Sequence, residues 1–189
     1  MTTPLLLQRL RSVHEALEQS GFEHAVGGAI ALAVHTQDPR FTSHINLNVV
    51  ADPVQPQPLL DCLPPEIVRH PTAAAEIRQD GQTRVHFPDP DTPLDLFLPQ
   101  HEAYHRLVHD RAVETDFLGT GIKVISATDL IIFKTLFNRS KDWVDIETLL
   151  TEGQGDLPDA RRWLVEILGE GNTSLRRLLD LAAQVGRFA

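Results

Sequence analysis

The chain has 189 residues, of which 42% are hydrophobic, and a formal net charge of −9. This size and composition predict one globular domain with a hydrophobic core, together with a small helical appendage. The 26 acidic residues outnumber the 17 Lys and Arg residues. The excess counts against broad nucleic-acid binding, which depends on basic side chains that neutralise phosphates. A small nucleotide or a tRNA end stays compatible with this charge.

The sequence also predicts a cytoplasmic protein with no membrane partner. It has no apolar run of about 18 residues, the length that marks a candidate membrane-spanning helix. Its N-terminal segment lacks the charged start and small-residue cleavage site of a signal peptide. The single Cys62 excludes an intramolecular disulfide and is typical of a reducing compartment.

Hydrophobic periodicity and turn residues divide the chain into helices and strands. Helices are predicted at residues 4–20, 29–34, 59–63, 72–77, 101–109, 129–138, 141–150, 159–168 and 174–185. Strands are predicted at residues 22–26, 44–50, 67–70, 82–87 and 94–99, and a hairpin at 112–124. A turn is predicted at Asp80-Gly81, and a loop at 88–93. The fold class is therefore α/β, a mixed sheet flanked by helices. We expect a domain at 1–153 and a C-terminal helical segment at 154–189 packed on it.

The stretch at residues 25–50 carries the first candidate site. Gly27-Gly28 opens a predicted helix, and glycines there let backbone N–H groups approach an anion at the positive helix end. A loop then precedes the next strand. Its candidate phosphate- or RNA-binding residues, which could equally be ordinary loop residues, are Arg40, Thr42 and Ser43.

Polar side chains on two predicted strands form a candidate metal site. Residues 44–50 alternate, so His44 and Asn46 share the face opposite the apolar residues. Asp95 is the only charge in its strand, which places it either in solvent or in a polar site. These three residues are therefore candidate metal ligands. Mg²⁺ prefers oxygen ligands, whereas the imidazole of His44 suits a transition metal better. The alternative to a functional metal site is therefore a decayed site that retains only polar residues.

The order of these features resembles the nucleotidyltransferase superfamily, above all its AbiEii-like toxin branch. In that family the strand after the helix carries Asp-x-Asp, which binds two divalent ions, and a third Asp lies on a later strand. The matching residues here are His44, Asn46 and Asp95. The resemblance implies a nucleotidyltransferase-like sheet, an NTP as substrate or ligand, Mg²⁺ as cofactor and an antitoxin-like protein partner. It also implies that the Asp-x-Asp motif is degenerate.

The resemblance extends to two later helices. The family signature Lys-x(4)-Arg-x-Lys-Asp-x-x-Asp is matched by Lys134, Arg139, Lys141, Asp142 and Asp145. In the family this Lys reaches nucleotide phosphates, which makes Lys134 a candidate nucleotide-binding and catalytic residue together with Asp95. An ion pair of Lys134 with Asp95 or Asp142 is the structural alternative, because a Lys in so apolar a helix needs an anionic partner or a route to water.

Three functions stay open at this point. The first is a degenerate nucleotidyltransferase that binds a nucleotide or a protein partner. The second is an active, NTP-dependent toxin that modifies RNA or protein through Asp95 and Lys134. The third is a metal-dependent hydrolase, because His101, Glu102 and His105 match His-Glu-x-x-His.

Overall fold

A computed structural model describes residues 4–37, 42–117 and 119–187 of the chain. The described residues group into two compact units. The first contains residues 4–30, 42–117 and 119–124, and the second contains residues 31–37 and 125–187. The predicted division after residue 153 stays a prediction.

The first unit is built on a six-stranded sheet. Its elements are α1 (Leu5–Gln19), β1 (His24–Val26), the start of α2 (Gly28–His35), β2 (Ile45–Val49), α3 (Gln57–Cys62), α4 (Ala73–Asp80), β3 (Gln82–Pro88), β4 (Asp91–Phe97), α5 (Glu102–Asp110), β5 (Val113–Asp116) and β6 (Gly121–Val124). The strand order is β3-β4-β2-β1-β6-β5. The β2/β4 and β1/β6 pairs are parallel, and the other neighbours are antiparallel. The predicted mixed sheet is confirmed.

Alternating apolar residues build the core of this unit. Ile45, Leu47 and Val49 on β2 are at most 1% exposed, as their predicted alternation requires. The fully buried residues of α1 recur at helical spacing and are Leu10, Val13 and Leu17. Burying side chains of this size stabilises a fold by about 1.5–3 kcal/mol each. This core fixes the register of β2 and therefore the position of its polar residues.

The turn predicted at Asp80-Gly81 is wrong. Asp80 ends α4, and Gly81 follows with φ of 64° while its N–H donates to the carbonyl of Ile77 at 2.9 Å. A left-handed glycine is a common helix end, and here it accounts for the Asp-Gly pair that resembles a hairpin turn. The hairpin instead joins β3 to β4, where Pro88 pairs with Asp91 inside the segment predicted as a loop.

In its described residues the second unit consists of helices. They are the end of α2, α6 (Ala127–Phe137), α7 (Ser140–Thr151), α8 (Leu157–Leu168) and α9 (Thr173–Gln184). α6 packs against α7, α8 and α9. Ser126 caps α6, since its hydroxyl accepts a hydrogen bond from the Asp129 N–H at 3.1 Å. None of the described helices combines the length and the apolar character that crossing a membrane requires.

His109 on α5 is a buried titratable group, with 4% of its surface exposed. Burial lowers the pKa of His109 from its ordinary value of 6.5, while the backbone of Asn48 and the carboxylate of Glu23 act in the opposite direction. The fold therefore favours the neutral imidazole.

Because of His109, we expect the protein to lose stability as the pH falls below about 6.5, since the unfolded chain then binds a proton that the folded chain resists. The stability that the neutral His109 imidazole contributes is complete above the pKa of this residue in the unfolded chain. It is lost as the pH falls toward the lower pKa of the same residue in the folded chain. His109→Leu should reduce this acid sensitivity. Urea unfolding of the wild type and of His109→Leu at about pH 7.5 and about pH 5.5 measures the change in the free energy of unfolding. If both proteins lose the same free energy between these pH values, the acid sensitivity does not come from His109.

Candidate functional site

Three polar side chains lie side by side on adjacent strands, and we call them the polar row: Arg84 on β3, Asp95 on β4 and Asn46 on β2. The β2/β4 register aligns Asn46 with Asp95, and the β3/β4 register aligns Asp95 with Arg84. The neighbouring Ile45 and Leu94 are fully buried. Because side chains alternate along a strand, the polar row lies on the opposite face of the sheet.

Asp95 is bound by Arg84 through two hydrogen bonds. Arg84 Nε donates to Asp95 Oδ1 at 2.6 Å, and Nη2 donates to Oδ2 at 3.1 Å. The Asp95 side chain is 15% exposed and the Arg84 side chain 57%. The hydrogen bonds to Asp95 raise the pKa of the Arg84 guanidinium. Both carboxylate oxygens, which a metal ion would need, therefore accept hydrogen bonds from an organic cation.

His44 lies just before β2, beside the polar row. Its Nδ1 is 4.0 Å from Asp95 Oδ2, beyond hydrogen-bond distance. The hydroxyl of Thr42 accepts a hydrogen bond from the His44 N–H at 3.1 Å, so it orients the chain that enters β2. Ser43 is exposed. Arg40 lies outside the described residues, so its predicted phosphate contact stays a prediction.

The glycine turn also lies beside the polar row. The Gly27 N–H donates to the Asn46 carbonyl at 2.8 Å, which commits that N–H to the sheet. Gly28 has φ of 62°, and a Cβ at this position would lie 2.4 Å from Asn46 Nδ2. The structure therefore brings Gly27, Gly28, Asn46 and Asp95 together as the resemblance implies.

Gly28→Ala should destabilise the protein by about 1–3 kcal/mol, because a left-handed backbone disfavours Ala and the new Cβ meets Asn46. Gly21→Ala is the matched control, since Gly21 has φ of 74° with no heavy atom within 4 Å of its Cβ position. Adding Asn46→Ala to Gly28→Ala should recover only the part of the lost free energy of unfolding that comes from the clash of the new Cβ with Asn46. Urea denaturation measures all of these variants. Equal losses in Gly21→Ala and Gly28→Ala would refute the contact with Asn46.

Lys134 belongs to an ion cluster between α6 and α7. Its side chain is 5% exposed, and Nζ lies 2.5 Å from Asp145 Oδ2 and 3.7 Å from Asp142 Oδ1. Asp142 also accepts a hydrogen bond from Arg139 Nε at 2.7 Å. The predicted ion pair with Asp142 is confirmed, and Asp145 is the nearer partner. The cluster accounts for this part of the family signature as a structural feature, while the contact of Lys134 with a nucleotide stays a prediction.

The hydrolase alternative gains no support from the structure. A His-Glu-x-x-His site places both histidines within one helix. His101 instead precedes α5 as its capping residue, where its Nδ1 accepts a hydrogen bond from the Tyr104 N–H at 3.3 Å. Nδ1 of His105 lies 3.1 Å from the His101 carbonyl oxygen.

The sequence prediction did not include Arg84 among the site residues. Its strand is predicted at residues 82–87, but the hairpin turn is placed before that strand at Asp80-Gly81. The sequence prediction therefore does not pair this strand with the one that carries Asp95. A hairpin turning at residues 89–90 sets Arg84 opposite Asp95. The signal that leads to this register is the short predicted loop at residues 88–93, which joins the predicted strands at 82–87 and 94–99.

Comparison with known proteins gives a likeness in fold. No family model matches the sequence, and no curated protein matches it significantly. The chain is similar to an antigenic nucleotidyltransferase-like protein from Paracoccidioides brasiliensis, with 16% identity over 92% of this chain and 94% of that chain and a TM-score of 0.49. It is similar to a putative nucleotidyltransferase from H. pylori, with 15% identity over 96% and 90% of the chains and a TM-score of 0.47. A third similar structure is the antibiotic-resistance factor ANT(2'')-Ia, with 11% identity over 94% and 82% and a TM-score of 0.46. At these values the likeness concerns the fold alone.

Proposed function

We propose that the chain is a nucleotidyltransferase-fold protein with a degenerate active site, which binds a nucleotide without a divalent metal ion. The observation that carries the proposal is the bidentate contact between Arg84 and Asp95. In two-metal phosphoryl transfer, carboxylates hold the metal ions that neutralise the phosphates. Here a guanidinium neutralises Asp95 directly, and the other family ligand positions hold His44 and Asn46.

The residues present do not fit Mg²⁺. This ion requires near-octahedral coordination by oxygen atoms and usually one or two carboxylates. The candidate set offers one carboxylate that is already paired with Arg84, one amide and one imidazole. Nucleotide binding at the polar row therefore does not depend on Mg²⁺.

The same contact leaves Arg84 able to bind a phosphate. A guanidinium carries five N–H donors, and Asp95 accepts hydrogen bonds from only two of its nitrogens. The Arg84 side chain is 57% exposed, and that of His44 is 38% exposed. Their outward N–H groups can donate to phosphate oxygens, and the paired Asp95 repels a phosphate less than a free carboxylate would.

A relation to toxin–antitoxin nucleotidyltransferases, with an antitoxin-like protein partner, belongs to the same proposal and rests on the sequence resemblance. An active transferase is the alternative, and it requires Asp95 to leave Arg84 for a metal ion. Pyrophosphate release from each NTP with Mg²⁺ and tRNA distinguishes the two. We expect no release above that of the Asp95→Asn variant, and a faster release by the wild type would favour the transferase.

Arg84→Gln should weaken nucleotide binding by about 10–100-fold, because a charge-assisted hydrogen bond contributes about 1.5–3 kcal/mol. The control is Arg78→Gln, which removes another exposed arginine, one that donates to the carbonyl of Val54 at 3.2 Å. Calorimetric titration of ATP, GTP, CTP and UTP without metal measures both variants. If Arg84→Gln binds as tightly as the wild type, the polar row is not the nucleotide site.

A further inference from the structure

A second polar cluster in the first unit joins α1 to β1. It consists of His14, Glu18 and His24, which we call the histidine cluster. One donor atom from each residue lies within 4.8 Å of a donor atom from each of the others. His14 and Glu18 lie one turn apart on α1, so their side chains share a helix face. His24 opens β1 and meets this face after the chain turns at Gly21.

His24 is oriented as metal-binding histidines are. It is 3% exposed, and its Nδ1 lies 2.9 Å from the carbonyl oxygen of Phe22. A carbonyl oxygen can only accept a hydrogen bond, so Nδ1 carries the proton and Nε2 presents its lone pair to the cluster. A backbone carbonyl that fixes the tautomer of an imidazole is the usual outer partner of a metal-ligating histidine. Burial also lowers the pKa of His24, which favours the neutral ring that a metal ion needs.

The second imidazole faces this lone pair directly. His14 Nδ1 lies 2.8 Å from His24 Nε2, and the two rings are tilted by 59°. With Zn–N bonds of about 2.05 Å, nitrogens at this separation would subtend an angle of about 85° at the metal, and a separation about 0.5 Å larger gives the tetrahedral angle. His14 is half-buried, so its side chain can supply this movement.

We propose that His14, Glu18 and His24 form a site for a divalent transition metal ion, with Zn²⁺ as its probe. Two imidazole nitrogens and one carboxylate oxygen suit such ions better than Mg²⁺ or Ca²⁺. In the metal-free protein His14 Nδ1–H donates a hydrogen bond to His24 Nε2. On metal binding that proton moves to His14 Nε2 through water, so the neutral ring becomes a ligand without net proton release.

Glu18 supplies the third ligand and leaves the site open to solvent. One of its carboxylate oxygens lies 3.8 Å from His24 Nδ1, and its side chain is 61% exposed. That nitrogen carries the proton, so the carboxylate has to change rotamer to reach a metal ion at His24 Nε2, and its exposure allows this without disturbing the core. Three protein ligands leave a fourth position for water, as in open zinc sites. The bound ion would link α1 to β1.

The test is zinc binding by chelator-treated protein, measured by metal analysis and by calorimetry. We expect about one tightly bound Zn²⁺ per chain, and at least about tenfold weaker binding in His14→Ala and in Glu18→Gln. Neither variant removes a fully buried residue, and circular dichroism checks that both fold. One matched control is Glu15→Gln, which changes an exposed glutamate on the same helix. The other is His70→Ala, which changes a half-buried histidine lying 3.5 Å from a Glu76 carboxylate oxygen.

A second readout is thermal stability. Zn²⁺ at about 100 times its dissociation constant should raise the unfolding midpoint of the wild type by about 5–10 °C. The same concentration should have a much smaller effect on His14→Ala. Equal zinc affinity in His14→Ala and wild type, equal weakening by either control variant, or no tight zinc binding at all would overturn the proposal. Each of these results would leave the cluster as a hydrogen-bonded histidine pair.

Discussion

Lys134→Ala is expected to destabilise the protein by about 3–5 kcal/mol, because removing one partner of a buried ion pair leaves an uncompensated charge. Asp145 is 2% exposed and loses the cation that lies 2.5 Å away. Asp142 is fully buried but keeps its hydrogen bond from Arg139. Asp145 therefore loses the closer of the two contacts with Lys134.

Urea denaturation of Lys134→Ala measures this loss, with Lys141→Ala as its control. Lys141 is an exposed lysine on α7, so its removal should change the free energy of unfolding by less than about 0.5 kcal/mol. Lys134→Met combined with Asp145→Leu should recover much of the lost stability, because this double variant replaces both charges of the ion pair by apolar side chains. A loss below about 1 kcal/mol in Lys134→Ala would show that the cluster is not a buried stabilising contact. Nucleotide-binding assays on this variant require conditions under which it is shown to be folded.

The second large effect concerns the metal. Replacing His44 and Asn46 by Asp, together with Arg84→Thr, should create Mg²⁺ binding that the wild type lacks. The variant frees Asp95 from its guanidinium and adds two hard oxygen ligands at the positions that the family resemblance assigns to the metal. Asn46→Asp preserves side-chain size, so the close packing against Gly28 is kept. We expect Mg²⁺ to bind the triple variant at least about tenfold more tightly than the wild type.

Thermal unfolding with Mg²⁺ and with a chelator measures this difference. Mg²⁺ should raise the unfolding midpoint of the triple variant and leave that of the wild type unchanged. His44→Asp alone, with Arg84 in place, is the control and should behave as the wild type does. Mg²⁺ stabilisation of the wild type that disappears in Asp95→Asn would show that Arg84 yields to the metal.

Much of the fold was predictable because the signals are local. The periodicity of residues 4–20 and the alternation of residues 44–50 predict α1 and β2. The error at Asp80-Gly81 has a physical cause, since a left-handed glycine serves helix ends and hairpin turns alike. In the structure α4 packs against β3, and the glycine between them ends the helix.

The site residues that match the order of the family motif could be predicted from the sequence. The residues that join the site through strand or helix pairing could not. Asn46 and Asp95 were expected on one face and lie on paired positions. Arg84 becomes their neighbour only through the pairing of β3 with β4. Similarly, Asp145 meets Lys134 across two helices, and the sequence indicated only Asp142 or Asp95 as partners. Tertiary contacts of this kind leave no periodic trace in a single sequence.

We propose that the polar row binds a nucleotide with Arg84 in place of a metal ion. Its most direct test is calorimetric titration of ATP, GTP, CTP and UTP into the wild type and Asp95→Asn, each with Mg²⁺ and with a chelator. We expect at least one nucleotide to bind, and we expect Mg²⁺ to change its affinity by less than about threefold. Asp95→Asn should bind that nucleotide as well as the wild type does, because the removed carboxylate carries no metal. Binding that requires Mg²⁺ and is lost in Asp95→Asn would refute this function for the polar row, and so would the absence of binding to all four nucleotides.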